Sequence, residues 1–229
     1  MSSPPLNIDY WATRYSVYTD YAEQYEEAMS YTCLTDKAEA LWEWKGLNRS
    51  IPFEEIAPVI DQLDRTDYID QKPQKAIRSL SDYLNDADVV SSKSLVTSAF
   101  LLHLMASGPK QYSEKFPIYD RNVWNAYVYL WRIRDKTEKL YSGASQSASR
   151  YAEFCEKFRE TCPDEKARKY ERALFVFGDF ITDLSSRNSR TSIKHIDNIL
   201  ESQEMAIKDM QSTSGYALID VKKIEDANQ

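Results

Sequence analysis

An all-α fold is predicted for this chain by three features of its sequence. Of 229 residues only 5 are glycine and 8 proline, whereas 42% are hydrophobic and 28% charged. Apolar residues recur at steps of three and four along most of the chain, which gathers them on one face of a helix. No succession of alternating Val, Ile and Thr runs, of the kind a sheet needs, interrupts that pattern. The length suits one large or two small domains with a real core. The expectation is a single multi-helix domain over 1–229, or two lobes meeting at a central segment over 89–131, with a polar, frayed tail over 222–229.

In chain order, Ile8 to about Cys33 reads as one helix with Trp11, Tyr15, Tyr18, Ala22, Tyr25 and Met29 on a common face and Asp9 as its N-cap. Such a tyrosine stripe serves either as a core face with hydroxyls at the rim or as a stacking platform for bases. Thr35 is placed to cap a second helix running through Trp42 and Trp44, which Gly46 ends. Pro52 suits the first turn of a third, carrying Phe53, Ile56, Val59, Ile60 and Leu63, with Pro58 near its start. The polar stretch from Asp64 to Lys72 reads as a loop, and Pro73 opens a helix carrying Ala76, Ile77, Leu80 and Leu84 that closes at Asn85 and Asp86. Leu95 to Met105 is apolar on nearly every side up to Gly108, the mark of a buried helix, with Ser91 or Ser92 as its cap.

A further helix is expected from Arg121, with Tyr127, Val128, Leu130 and Trp131 at helical spacing and Arg132, Arg134 and Lys136 at its C-terminal end, where the macrodipole prefers cations. Gly143 to Ser149 reads as a small polar linker. Tyr151, Phe154, Cys155 and Phe158 form the face of the next helix, stopping before Pro163, and Asp164 starts a helix carrying Tyr170, Leu174, Phe177, Ile181 and Leu184. Arg187, Arg190 and Lys194 lie in a polar connection, the most basic short patch of the chain and a candidate for contact with DNA phosphates. Ile193, Ile196, Leu200, Ile207 and Met210 stripe a last helix that docks on the domain or pairs with a second copy.

Several functions are disfavoured. A net charge of −7 argues against a broad basic surface for nucleic acid. Met1 to Pro5 holds no basic region followed by a hydrophobic core, and no apolar run approaches the roughly 18 residues of a membrane span, so a soluble cytoplasmic protein without membrane contact is expected. The 3 cysteines, Cys33, Cys155 and Cys162, form no C-x-x-C pair and are too few for a disulfide framework. With only His103 and His195 and no metal-ligand spacing, neither a metal nor a cofactor is expected.

Two residues of the central segment carry chemistry. Lys93 falls in the first turn of the buried helix, where the macrodipole and the apolar neighbours both disfavour positive charge and so favour the neutral, nucleophilic amine. The alternative is a lysine that snorkels to solvent from a helix end. Asp120 follows Phe116, Pro117, Ile118 and Tyr119 and precedes a helix, the position of an N-cap. A carboxylate held there suits the stabilisation of a developing cation, and it equally serves as a cap alone. The dozen residues from Gly108 to Tyr119 are long enough to run back along the buried helix, which would bring the two N-terminal ends within reach.

This arrangement resembles the helix-hairpin-helix base-excision DNA glycosylases, especially their 8-oxoguanine branch and a divergent set of short bacterial relatives. The similarity rests on Ser91, Ser92, Lys93, Ser94 and Leu95, on Leu102 and His103, and on the run from Phe116 to Arg121. The later run from Tyr170 to Gly178 resembles the closing helix of that set. The resemblance implies the glycosylase fold, with Lys93 attacking the sugar C1′ and Asp120 assisting. The stretch from Leu84 to Val90, where those enzymes carry a glycine-rich hairpin, holds no glycine and two acidic residues, Asp86 and Asp88.

The expected function is therefore excision of a damaged or modified base from DNA, the base being taken out of the stack into a pocket. His103, Tyr119 and Trp124 are pocket candidates, and Arg121 joins Arg187, Arg190 and Lys194 as candidates for the DNA backbone. The rival is an inactive helical protein that keeps a glycosylase-like fold and uses its acidic, tyrosine-rich surface for a protein partner or a second copy of itself.

Overall fold

The computed structural model describes residues 6–15, 19–89, 95–107, 114–132, 140, 143–163, 166–187 and 196–201. Among these every regular element is helical, as expected. In chain order they are α1 Ile8–Thr13, α2 Thr19–Ser30, α3 Leu34–Trp42, a 3-10 turn Leu47–Arg49, α4 Phe53–Ile60 and α5 Thr66–Ile69. Then come α6 Pro73–Asp86, α7 Leu95–Ala106, α8 Arg121–Tyr127 with a π-helical turn Val128–Arg132, α9 Ala148–Thr161 and α10 Ala167–Arg187. No helix among the described residues is long and apolar enough to cross a membrane.

The chain divides into two compact units. The first comprises Met1–Ile133 and Leu140–Thr182, and the second Arg134–Lys139 and Asp183–Gln229. Within the second unit the described residues are the end of α10 and a short helix at 196–201. Ile193, Ile207, Met210 and the tail at 222–229 lie outside the described residues.

The core of the first unit is built around α7. From Thr97 to Ala106 every residue of this helix is buried, which matches a sequence that is apolar on all sides. Helices α3, α5 and α6 pack against it, and α6 in turn carries α9. Ser81 of α6 donates to Ser98 of α7 at 2.9 Å, satisfying two hydroxyls in that contact. Tyr151, Phe154 and Phe158 of α9 and Tyr170, Leu174 and Ile181 of α10 are buried as their periodicity predicts.

Five points depart from the expectation, four of them where a side-chain hydrogen bond or ion pair redirects a helix end or its cap. The helix expected over Ile8 to Cys33 is two helices. Thr13 Oγ1 and Arg14 Nη1 both donate to the carbonyl of Tyr10, and Arg14 stacks on the Tyr10 ring at 3.5 Å, so side chains compete for the bond that would continue α1. The cap of α1 is Asn7, whose Oδ1 accepts from Tyr10 N, whereas Asp9 pairs with Lys169. Cys33, not Thr35, occupies the cap position of α3, and the Thr35 hydroxyl reaches Asp61 instead. The expected loop from Asp64 to Lys72 contains α5, because Asp64 Oδ1 accepts from both the N–H and the hydroxyl of Thr66 and starts a turn. Arg187 ends α10 rather than lying in a connection.

Candidate functional site

The approach to Asp120 is held from two sides. His103 on α7 donates through Nδ1 to the carbonyl of Phe116 at 2.9 Å. A carbonyl only accepts, so that nitrogen carries the proton, and Nε2 is free to accept from the Tyr25 hydroxyl at 2.5 Å. Two residues on, Ile118 N–H donates to Glu171 Oε1 of α10 at 2.9 Å. Both side chains are buried, with 7% of His103 and 4% of Glu171 exposed, and the two lie 3.6 Å apart. Burial lowers the pKa of His103; Glu171 and the Phe116 carbonyl oppose that, while Arg168 and Lys45 add to it.

The chain therefore runs back along α7. Tyr119, just before Asp120, donates its hydroxyl to the Ser145 carbonyl at 3.0 Å. The next residue, Gln146, accepts from the backbone N–H of Leu95 at 3.1 Å. Leu95 is eight positions before His103, about 12 Å along a helix. The return segment is thus tied to the middle of α7 through Phe116 and linked to its N-terminal residue through Ser145 and Gln146, which meet Tyr119 and Leu95 respectively.

Asp120 caps α8 as expected. Its Oδ1 accepts from Val123 N–H at 2.9 Å, with the backbone extended at φ −154° and ψ −175°. The other oxygen, Oδ2, meets Lys45 Nζ at 2.9 Å, with 19% of the Asp120 side chain and 6% of the Lys45 side chain exposed. Lys45 stands in the turn after α3, its N–H on the Leu41 carbonyl, immediately before Gly46, whose φ of 73° turns the chain away.

Aromatic and cationic groups flank this pair. Lys45 Nζ lies 5.9 Å from the Trp44 ring, which is 5.5 Å from Tyr25. Burial raises the pKa of the Tyr15 hydroxyl, Arg168 and Arg172 oppose that, and Asp120 adds to it. Arg168 stacks on Tyr25 at 3.5 Å and pairs with Glu171 at 3.4 Å and Glu26 at 3.2 Å, and Arg172 also pairs with Glu26. Among the described residues no group of His, Cys, Asp and Glu side chains is arranged to hold a metal ion.

The sequence-predicted residues fall in different places. Tyr119 and Trp124 are buried against one another at 5.9 Å, on the side of Tyr151 and Phe154, whereas His103 faces Tyr25 and Phe116. Arg121 is exposed on the first turn of α8. Lys93, Arg190 and Lys194 lie outside the described residues, as does the side chain of Arg187. Lys45, Arg168 and Glu171 were not singled out by sequence. Lys45 and Asp120 are 75 positions apart and Glu171 and Ile118 are 53 apart, so no local spacing pairs them. The run from Tyr170 to Gly178 was the one signal pointing at Glu171.

No protein-family model, no curated protein and no solved structure matches this chain.

Proposed function

We propose that the chain is a cytoplasmic DNA glycosylase-like protein that removes a damaged or modified base extruded from DNA. In this reading the Lys93 amine attacks C1′ of the deoxyribose, an imine forms after the base departs, and the Asp120 carboxylate stabilises the cationic sugar on the way. One observation carries it. The segment ending in Asp120 returns along α7 until it shares the Ser145 and Gln146 contact with Leu95, two residues beyond Lys93. A lysine at the start of one helix and a carboxylate capping the next need that return path to act on a common atom.

Borohydride reduction with duplexes carrying an abasic site or an oxidised base tests the reading. A covalent adduct that is lost in Lys93→Gln is expected. No adduct across a broad lesion panel would remove the imine mechanism.

A second reading, an inactive protein-interaction module on the same scaffold, is favoured by Asp120 having both oxygens engaged, by Val123 N–H and by Lys45. The acidic turn at Asp86 and Asp88, which repels phosphate, supports it as well. A salt-sensitive electrophoretic shift with DNA would count against this second reading, and capture of a protein by a chain with no DNA affinity would favour it.

A further inference from the structure

The geometry points to Lys45 as the group that protonates the departing base, an assignment that rests on the glycosylase reading above. Three features of the pair support it. First, the Asp120 carboxylate is fixed by the Val123 N–H on one oxygen, so its other oxygen and the Lys45 ammonium hold a defined relation at 2.9 Å. Second, the ammonium is largely out of water, with 6% of its side chain exposed, so a proton it gives goes to a bound group rather than to bulk solvent. Third, an aromatic ring borders the pair, Trp44 lying 5.9 Å from Nζ. An anion for the sugar, a proton donor for the base and a ring for stacking are thus contributed by the cap of α8 and the end of α3.

The step balances. The C1′–N bond breaks with its electron pair left on the base nitrogen, and that nitrogen takes a proton from Lys45 Nζ. The nucleophile that bonds to C1′ then sheds its surplus proton, which returns Lys45 to the ammonium form beside Asp120. No oxidant, reductant or metal takes part.

A lysine that merely ties α3 to α8 would be replaced by any long cation, whereas a proton donor would not, because a guanidinium does not give up its proton in a protein. The test uses the full chain as wild type, Lys45→Met and Lys45→Arg, with two substrates. One is a duplex carrying the lesion that the wild type excises best from a panel led by 8-oxoguanine. The other is a duplex carrying a preformed abasic site, where no base has to leave. Lys45→Arg keeps an ion pair with Asp120 and its urea midpoint is expected to stay at the wild-type value. Both variants are expected to lose more than about 100-fold in single-turnover excision while forming the borohydride adduct at the abasic site within about threefold of wild type. Excision retained in Lys45→Arg would reduce Lys45 to a structural tie and overturn the assignment. Parallel loss of excision and of adduct in both variants would overturn it too. If the wild type neither excises nor traps on any substrate, the glycosylase reading itself falls and the assignment with it, an outcome distinct from an active wild type with active variants.

Discussion

Gly178 lies against the backbone of Asn122 so closely that a Cβ on it would stand 1.9 Å from the Asn122 carbonyl oxygen and 2.5 Å from its carbon. Both atoms are main chain and belong to α8, so no rotamer change relieves the clash. Two side-chain bonds flank the contact, Asn122 Nδ2 to Asp179 Oδ1 at 3.1 Å and Asn125 Nδ2 to Thr182 Oγ1 at 3.0 Å. They hold α8 and α10 at this spacing, two residues from the Asp120 cap.

Gly178→Ala must therefore push α8 and α10 apart. A destabilisation of about 3 kcal/mol or more is expected, at the upper end of what overpacking a core costs. Urea unfolding of the purified variant measures it, and a loss under about 0.5 kcal/mol, typical of a surface change, would show that the helices do not pack this tightly.

Asp88 is expected to yield the opposite sign. It closes α6 in the left-handed region at φ 57°, with its N–H on the Asn85 carbonyl at 2.9 Å, the conformation that glycine adopts without cost. Its carboxylate also sits at a helix C-terminus, where the macrodipole disfavours it. Asp88→Gly should stabilise the fold by about 0.5–1 kcal/mol. Asp88→Asn, which tolerates the same φ, should recover only the charge part. A thermal melt that drops in Asp88→Gly would mean that the side chain makes a contact outweighing both effects.

Asp88 also marks where sequence reading stops. The absence of glycine before Lys93 was visible, but not that an aspartate takes over the left-handed turn. Periodicity predicted α4, α6, α9 and α10 because each buries a continuous face, α7 was legible because it is apolar on all sides, and the Asp120 cap because its bond to Val123 spans three residues. Boundaries were lost where a side chain competes with the backbone, as Thr13 and Arg14 do at Tyr10. The site was half legible for the same reason. The lysine beside Asp120 is 75 positions away, and the tyrosine on His103 is 78 away. Such pairs are made by tertiary packing, and one sequence holds no periodic trace of them.

The thiols should react very unequally. Cys33 is exposed, while Cys155 and Cys162 are buried. Burial pushes the Cys155 thiol up to about 12, so at pH 8 almost none of it is the reactive thiolate. Ellman's reagent on the native protein should give one fast equivalent, abolished by Cys33→Ser, and all 3 cysteines should react after denaturation. Two or more fast equivalents in the native state would contradict the packing of α9.

His103 should make stability depend on pH in a defined direction. Burial holds it neutral in the fold, between the Tyr25 hydroxyl and the Phe116 carbonyl, with Glu171, Arg168 and Lys45 as the charged groups around it. In the unfolded chain it takes up a proton near its ordinary value of 6.5. Below that pH the unfolded state binds more protons than the native state, so the contribution of His103 is complete above it and is lost as pH falls. The slope for one such group is at most about 1.4 kcal/mol per pH unit. Urea unfolding between pH 7.5 and 5 should show wild-type stability declining below the midpoint of that range. His103→Gln, which keeps a polar side chain but has no ionisable group, should be less stable at pH 7.5 yet decline less steeply. Parallel declines in the two proteins would mean that His103 titrates alike in the folded and unfolded chains, with Glu171 offsetting burial.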